Sequence, residues 1–267
     1  MPIALKKMRI LILSALPQEY SPLKKCFPSW RRVRGGTLKK FAFSLPGKEI
    51  SLIESGMGSK AVREALEVEL AVTTPDLMIF SGFAGGLHPD LSVGVVCFVD
   101  SVKEISSKSE FHCRYPDELA DFLVENEIRP VQAFSAEVPG NKQELCLLAS
   151  GRPAVLDMET ATVAEVALQK KITFICCRAI SDAIGHDLGF NLSDIADERG
   201  KIRVAGVLSA LIRKPSVLSA FYLAWRRSRR AAKNLGRSIA ALLVIPSALL
   251  DEMLSKSRWT IVSGLDH

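Results

Sequence analysis

Ile172–Cys177 reads as a β-rich run, apolar on both alternate faces, and it follows directly on a helix-patterned segment from Glu159 to about Lys170. A strand with no polar face has to be covered on both sides, which is the signature of a central strand in a sheet layered with helices. Runs of the same kind stand at Arg9–Leu13 and Leu77–Phe80, with helix-patterned segments between them. Strands that alternate with helices predict an α/β fold. The expected form is a single-domain three-layer α/β/α sandwich around a central mixed β-sheet, with a helical C-terminal extension.

The spacing fills in the remaining elements. Pro17 opens a short helix through Leu23 and Cys26, and Lys40–Ser44 with Glu49–Ile53 form a hairpin around Pro46-Gly47. Ser59–Val72 and Pro116–Glu125 have helical patterns, while Val93–Val99, Val131–Phe134 and Ala154–Leu156 read as strands. Val204–Ile212 and Val217–Leu243 are predicted helices separated at Pro215. Residues 8–245 are expected to form the catalytic domain, including a basic helical extension over 199–245, and 246–267 a tail of unassigned role.

Composition removes several classes. A chain of 267 residues, 48% hydrophobic and 24% charged, buries enough surface to fold without disulfides or metal. The six cysteines show no CxxC spacing and several lie in apolar runs, so they read as reduced core residues of a cytoplasmic protein. No stretch reaches the roughly 18–20 apolar residues of a membrane span. The basic, apolar N-terminus is too short for a secretion signal and reads as a first buried strand.

Three predicted loops follow three predicted strands: Ser14–Glu19, Ser81–Gly86 and Arg178–Asp182. Ligands of open α/β sheets bind beyond the carboxyl ends of the strands, so these loops are expected to converge. Within and between them lie, in order, Ala15-Leu-Pro-Gln-Glu19, Ser55-Gly-Met-Gly58, Ser81-Gly-Phe-Ala-Gly-Gly86, Asp157-Met-Glu-Thr-Ala161 and Arg178-Ala-Ile-Ser-Asp182. From about Met8 to Ala183 the chain resembles the nucleoside phosphorylase and nucleosidase superfamily, especially methylthioadenosine/S-adenosylhomocysteine nucleosidases. One such motif is weak; five in order are specific.

The resemblance implies cleavage of the N-ribosidic bond of a 5′-substituted purine nucleoside, adenine being the base. Asp182 matches the general acid that protonates the base, and Ser181 its orienting partner. Glu159 matches the carboxylate that accepts hydrogen bonds from the ribose hydroxyls, and Met158 the apolar floor under the sugar. Glu19 matches the glutamate that holds the attacking water. Phe83, Ala84 and Gly85 belong to the loop whose main chain approaches the substrate. A general acid suits this reaction because the departing base gathers negative charge; such catalysis contributes roughly 10²–10⁴-fold. Each carboxylate also has a plain structural reading: Asp182 can cap a turn, and Glu159 suits a helix N-terminus. No metal and no organic cofactor is implied.

The chain departs from phosphorylases in the glycine-rich segment, where those enzymes place an arginine and a serine or threonine for phosphate. Phe80 and Phe83 stand there instead. A phenylalanine does not bind an anion, so hydrolysis of a methylthioadenosine or S-adenosylhomocysteine type substrate is the favoured reaction.

The last third carries the charge asymmetry. Arg199 to Arg237 holds 11 basic residues and no acidic one, leaving 24 basic against 29 acidic residues elsewhere. An apolar stretch from Val217 to Trp225 leads into Arg226, Arg227, Arg229 and Arg230. This extension resembles hopanoid-biosynthesis members of the superfamily, which remove adenine from a lipid-linked adenosine and are described as phosphorylases. The segment suits an anionic membrane surface, with location at the inner membrane face, or equally the acidic body of a second subunit in a homodimer or higher homo-oligomer. No nucleic-acid partner is expected. A non-catalytic nucleoside-binding or membrane-surface protein is the remaining alternative.

Overall fold

A computed structural model of the chain describes residues 7–137, 142–184 and 216–262. Eleven strands form one mixed sheet flanked by helices. The strands are β1 (Met8–Ser14), β2 (Arg31–Val33), β3 (Lys39–Leu45), β4 (Lys48–Glu54), β5 (Leu77–Gly86), β6 (Val96–Glu104), β7 (Glu110–Arg114), β8 (Ile128–Ser135), β9 (Ala154–Asp157), β10 (Thr173–Asp182) and β11 (Arg258–Val262). The helices are α1 (Pro17–Cys26), α2 (Ser59–Leu70), α3 (Asp117–Glu125), α4 (Lys142–Leu148), α5 (Thr160–Lys170), α6 (Ser216–Val244) and α7 (Ser247–Ser255).

The strand order is β11-β7-β6-β8-β9-β5-β1-β4-β3-β2, and β10 bridges β5 and β6. That bridge closes a ring through β5, β10, β6, β8 and β9. The ring depends on the length of β5. Its first half pairs with β1, Leu77–Phe80 opposite Ile10–Leu13, while Gly85 and Gly86 pair with Leu156 and Val155 of β9. From Leu77 to Gly85 β5 also lies parallel to β10. The apolar runs that defined these strands are the centre of the core: Ile12, Leu13, Leu77, Ile79, Phe80 and Cys176 are wholly buried.

Two segments expected as loops are therefore strand. Ser81–Gly86 continues β5, and Arg178–Asp182 continues β10. Glycines read as loop signals, but here they allow close backbone approach inside the sheet. The strand expected at Val93–Val99 begins only at Val96, because Gly94 has φ +92° and breaks the extended run. The predicted helix Val204–Ile212 lies outside the described residues.

Helix α6 is built into the domain rather than appended to it. Ala231, Leu235, Ile239, Leu242 and Leu243 are buried in the main core, and Gly236 lies against the backbone of Pro22 and Leu23 of α1. At its C-terminus the buried Lys48 donates to the carbonyls of Leu243 (2.9 Å) and Ile245, meeting orphan acceptors at the negative end of the helix dipole. The 246–267 segment holds α7 and β11. Strand β11 extends the sheet beyond β7, and its Trp259 packs on Phe174 (ring centroids 5.3 Å apart) while donating Nε1–H to the Phe174 carbonyl. Among the described residues no single helix is long and apolar enough to cross a membrane, and the chain bends by 101° between α6 and α7.

Candidate active site

The five motifs come together at the carboxyl ends of β1, β4, β5, β9 and β10. Glu19 lies in the first turn of α1, two residues after Pro17 starts the helix. It is buried, and its two oxygens accept hydrogen bonds from different elements: Oε2 from the Leu16 N–H and Oε1 from the Phe83 N–H, both 2.9 Å. Burial raises its pKa above the usual carboxylate range, against the lowering effect of these two N–H groups and of Arg178.

Glu159 is the N-cap residue of α5, whose residues are buried almost all round rather than along one stripe. Its Oε1 accepts the Gly58 N–H at 2.8 Å, and Ser59 Oγ donates to the Met158 carbonyl at 2.8 Å. Gly58, at φ +87°, takes a backbone conformation that an L side chain would strain. Glu159 is only 7% exposed, and burial pushes its pKa up to about 7, with Arg178 pulling it down and Asp157 pushing it up. Its carboxyl thus stands at the edge of protonation in the free protein.

Asp182 ends β10, half-buried, and accepts a hydrogen bond from Ser181 Oγ at 2.7 Å. A bulge sets its direction: the β10–β5 register runs Ile180 opposite Ala84, then Asp182 opposite Gly85, leaving Ser181 as the extra residue. Ser181 Oγ also lies 3.4 Å from the Ala84 carbonyl. So Phe83, Ala84 and Gly85 lie backbone to backbone with Ala179, Ile180 and Asp182. The Phe83 ring packs against the main core, and its main chain is what meets Glu19.

Arg178, which opens the last of the five motifs and has no role implied by the resemblance, is the centre of the cluster. It is 1% exposed. Its Nη2 lies 2.6 Å from Asp157 Oδ2 and 3.6 Å from Glu159 Oε2, and donates to Thr160 Oγ1 at 2.8 Å. The guanidinium carbon sits 3.9 Å from the ring centroid of Phe80, a cation–π contact. Burial works against the charged form, but Asp157, Cys176, Glu159 and Glu19 outweigh it and hold the group firmly cationic. A signal was present in the sequence: an arginine that continues a central apolar strand has to be buried, and a buried cation needs acidic partners. Gly82 leaves the space for it, since a Cβ there would stand 3.0 Å from Glu19 Oε1 and closer still to Arg178 Nη1.

Asp157 is fully engaged by protein. Besides Arg178, it accepts hydrogen bonds from Ser135 Oγ (2.9 Å), from the backbone N–H of Thr160 and Glu159, and from the Thr160 hydroxyl. Three buried acids around one arginine leave the cluster with an excess of carboxylate. Among the described residues no group of His, Cys, Asp and Glu side chains is arranged to hold a metal ion.

Comparison with known proteins shows the family. Residues 9–213 match the Phosphorylase superfamily. The chain belongs to that superfamily. Among its relatives is a 5′-methylthioadenosine/S-adenosylhomocysteine nucleosidase of Haemophilus influenzae (strain PittEE), 25% identical over 197 residues that cover 66% of this chain and 86% of the relative. The enzyme of the same description from Tolumonas auensis is 23% identical over 227 residues, 76% of this chain and 99% of the relative. Solved structures share the fold. An S-adenosylhomocysteine nucleosidase from Streptococcus pyogenes superposes with a TM-score of 0.66 at 15% identity, covering 90% of this chain and 98% of its own. The futalosine hydrolase of Helicobacter pylori gives 0.62 at 15% identity, covering 88% and 97%.

Proposed function

We propose that this chain cleaves the N-ribosidic bond of a 5′-substituted adenine nucleoside, with water as the acceptor. The observation that carries the reading is Glu159: a buried carboxyl with one backbone hydrogen bond and a long 3.6 Å approach to Arg178. Its remaining acceptor positions suit the paired hydroxyls of a ribose, and its charge complements the cationic sugar of the transition state.

The remaining roles follow from the chemistry. As the C1′–N9 bond breaks, its electron pair moves to the base, and Asp182, oriented by Ser181, supplies the proton that neutralises it. Met158, on the chain just before Glu159, forms the floor under the sugar. Water adds to C1′ and gives up its proton to Glu19, whose raised pKa makes it the stronger base. Arg178 keeps the neighbouring carboxylates in place. Glu19 also supports the choice of water. Its carboxylate already takes the Phe83 N–H and the space over Gly82. A phosphate brought there would meet a negative group.

Base removal from a lipid-linked adenosine is a second reading, favoured by the course of α6. Arg230 lies beside Gly94, whose N–H donates to the Ile180 carbonyl, and Leu243 lies beside Lys48 at the start of β4. The helix thus descends from the site end of β10, and the 14 residues before Arg230 extend beyond that end by about 21 Å. An apolar-then-basic segment there suits an amphiphilic 5′ group.

The test is to incubate the protein with methylthioadenosine, S-adenosylhomocysteine, inosine and an adenosine carrying a long 5′-alkyl chain, with and without phosphate, and to follow free base by chromatography. Adenine release from the small thio-nucleosides without phosphate is the expected result. Preference for the alkyl substrate selects the second reading. No base from any of them refutes both.

A further inference from the structure

We propose that Asp157 is a positioning residue: by holding the Arg178 guanidinium it keeps the neighbouring Glu159 carboxyl free to receive the sugar hydroxyls. The inference rests on the reading of Glu159 as the sugar clamp. One guanidinium nitrogen, Arg178 Nη2, faces both acids, 2.6 Å from Asp157 Oδ2 and 3.6 Å from Glu159 Oε2. A movement of under 1 Å would convert the second approach into a short ion pair of the usual ~2.8 Å length. Glu159 would then exchange its open acceptor positions for an internal partner.

Asp157 prevents this because it is itself immobile. Ser135 Oγ, the Glu159 and Thr160 N–H groups and the Thr160 hydroxyl all donate to it, and Thr160 Oγ1 in turn accepts from Arg178 Nε and Nη2. The charged groups that face Glu159 are Arg178 from β10, Asp157 from β9 and Glu19 from α1, with the Gly58 N–H from the turn before α2. Removing the Asp157 charge removes one repulsion and frees one cation, and both changes favour ionised Glu159. The same negative charge therefore holds the arginine and sets the protonation of the clamp.

The decisive experiment is a carboxyl ¹³C NMR titration of glutamate-labelled free protein, with the Glu159 signal assigned by Glu159→Gln. Asp157→Asn is expected to move the Glu159 midpoint to lower pH by about one unit or more. If the protein turns over a nucleoside, Asp157→Asn also raises KM more than it lowers kcat, and Asp157→Glu restores both the midpoint and KM. Thr160→Val, which loosens Arg178 without removing a charge, moves the midpoint in the same direction and serves if Asp157→Asn does not fold. Ser135→Ala removes one of several donors to Asp157 but leaves its charge and its contact with Arg178, so it lowers thermal stability and moves the midpoint far less than Asp157→Asn does. An unchanged midpoint in folded Asp157→Asn or Thr160→Val overturns the proposal, as does an equal shift in Ser135→Ala. The titration needs no substrate, so absence of base release would sink the nucleoside reading and leave this result standing on its own.

Discussion

Glu19 Oε1 accepts the Phe83 N–H at 2.9 Å, so a carboxylate of the chain itself occupies the backbone amide above Gly82. On the proposed hydrolytic reading, this keeps free anions from a position that the glycine-rich segment would otherwise offer them. Base release is expected to proceed at the same rate with and without millimolar phosphate. Glu19→Gln loses the base and sets its amide NH2 against either the Leu16 or the Phe83 N–H, and turnover should fall by at least roughly 10²–10⁴. A steady-state assay of both proteins checks this; strict phosphate dependence of the parent protein contradicts it.

Gly82 is where the sheet and the site compete for space. A Cβ at this position meets Glu19 Oε1 at 3.0 Å and Arg178 Nη1 more closely, and both side chains are buried. Gly82→Ala should cost about 1–3 kcal/mol of stability by overpacking. It should lower kcat/KM by about 10²-fold, because a misplacement near 1 Å is enough to do so. Thermal melts beside kinetics separate the two effects. A variant with parental kinetics would show that the Arg178–Glu19 spacing is unimportant.

Much of this site was legible from residue order because its acids stand next to strand ends that apolar runs define. Asp157 and Glu159 precede Ile172–Cys177 in the chain and Arg178 and Asp182 follow it, and the fold brings Asp157, Glu159 and Glu19 round Arg178. What the sequence hid were partner switches. Ser81–Gly86 looked like a loop because glycine and serine mark turns, yet Gly85 and Gly86 pair with β9 while the same strand pairs with β10. Arg178 carried no helix or turn signal, so only its place in a central strand betrayed it. β7 and β11 are short and partly polar, and β11 becomes strand only because β7 offers an edge and Trp259 finds the Phe174 carbonyl. Those are tertiary facts without a local period.

The pH dependence of stability follows from Glu159. Its folded-state pKa of about 7 lies above the ordinary 4.5, so the folded protein keeps a proton that the unfolded chain releases. Stabilisation from this group is full below pH 4.5 and is lost as pH rises through 7, a swing of at most about 3 kcal/mol. Glu19 shifts in the same direction. The free protein should therefore melt at higher temperature near pH 5 than near pH 8. In Glu159→Gln that difference should shrink. A pH series of calorimetric melts decides it, and an equal or larger gap in the variant would refute the assignment.

The C-terminal segment is expected to hold the domain together. Trp259 is nearly buried, packs its ring at a tilt on Phe174 of the central strand β10 and donates to its carbonyl. Trp259→Ala should destabilise the protein by about 3–5 kcal/mol in urea unfolding. A change within about 0.5 kcal/mol, as for an ordinary surface site, would mean that β11 is a loose appendage.

In the proposed reaction Asp182 protonates a departing adenine on a sugar held by Glu159. Its most direct test is adenine release from methylthioadenosine by the parent protein and by Asp182→Asn under single-turnover conditions, with thermal melts to confirm that both are folded. Release by the parent and a loss of roughly 10²–10⁴-fold in the variant are expected. Parental turnover by folded Asp182→Asn would contradict that reaction.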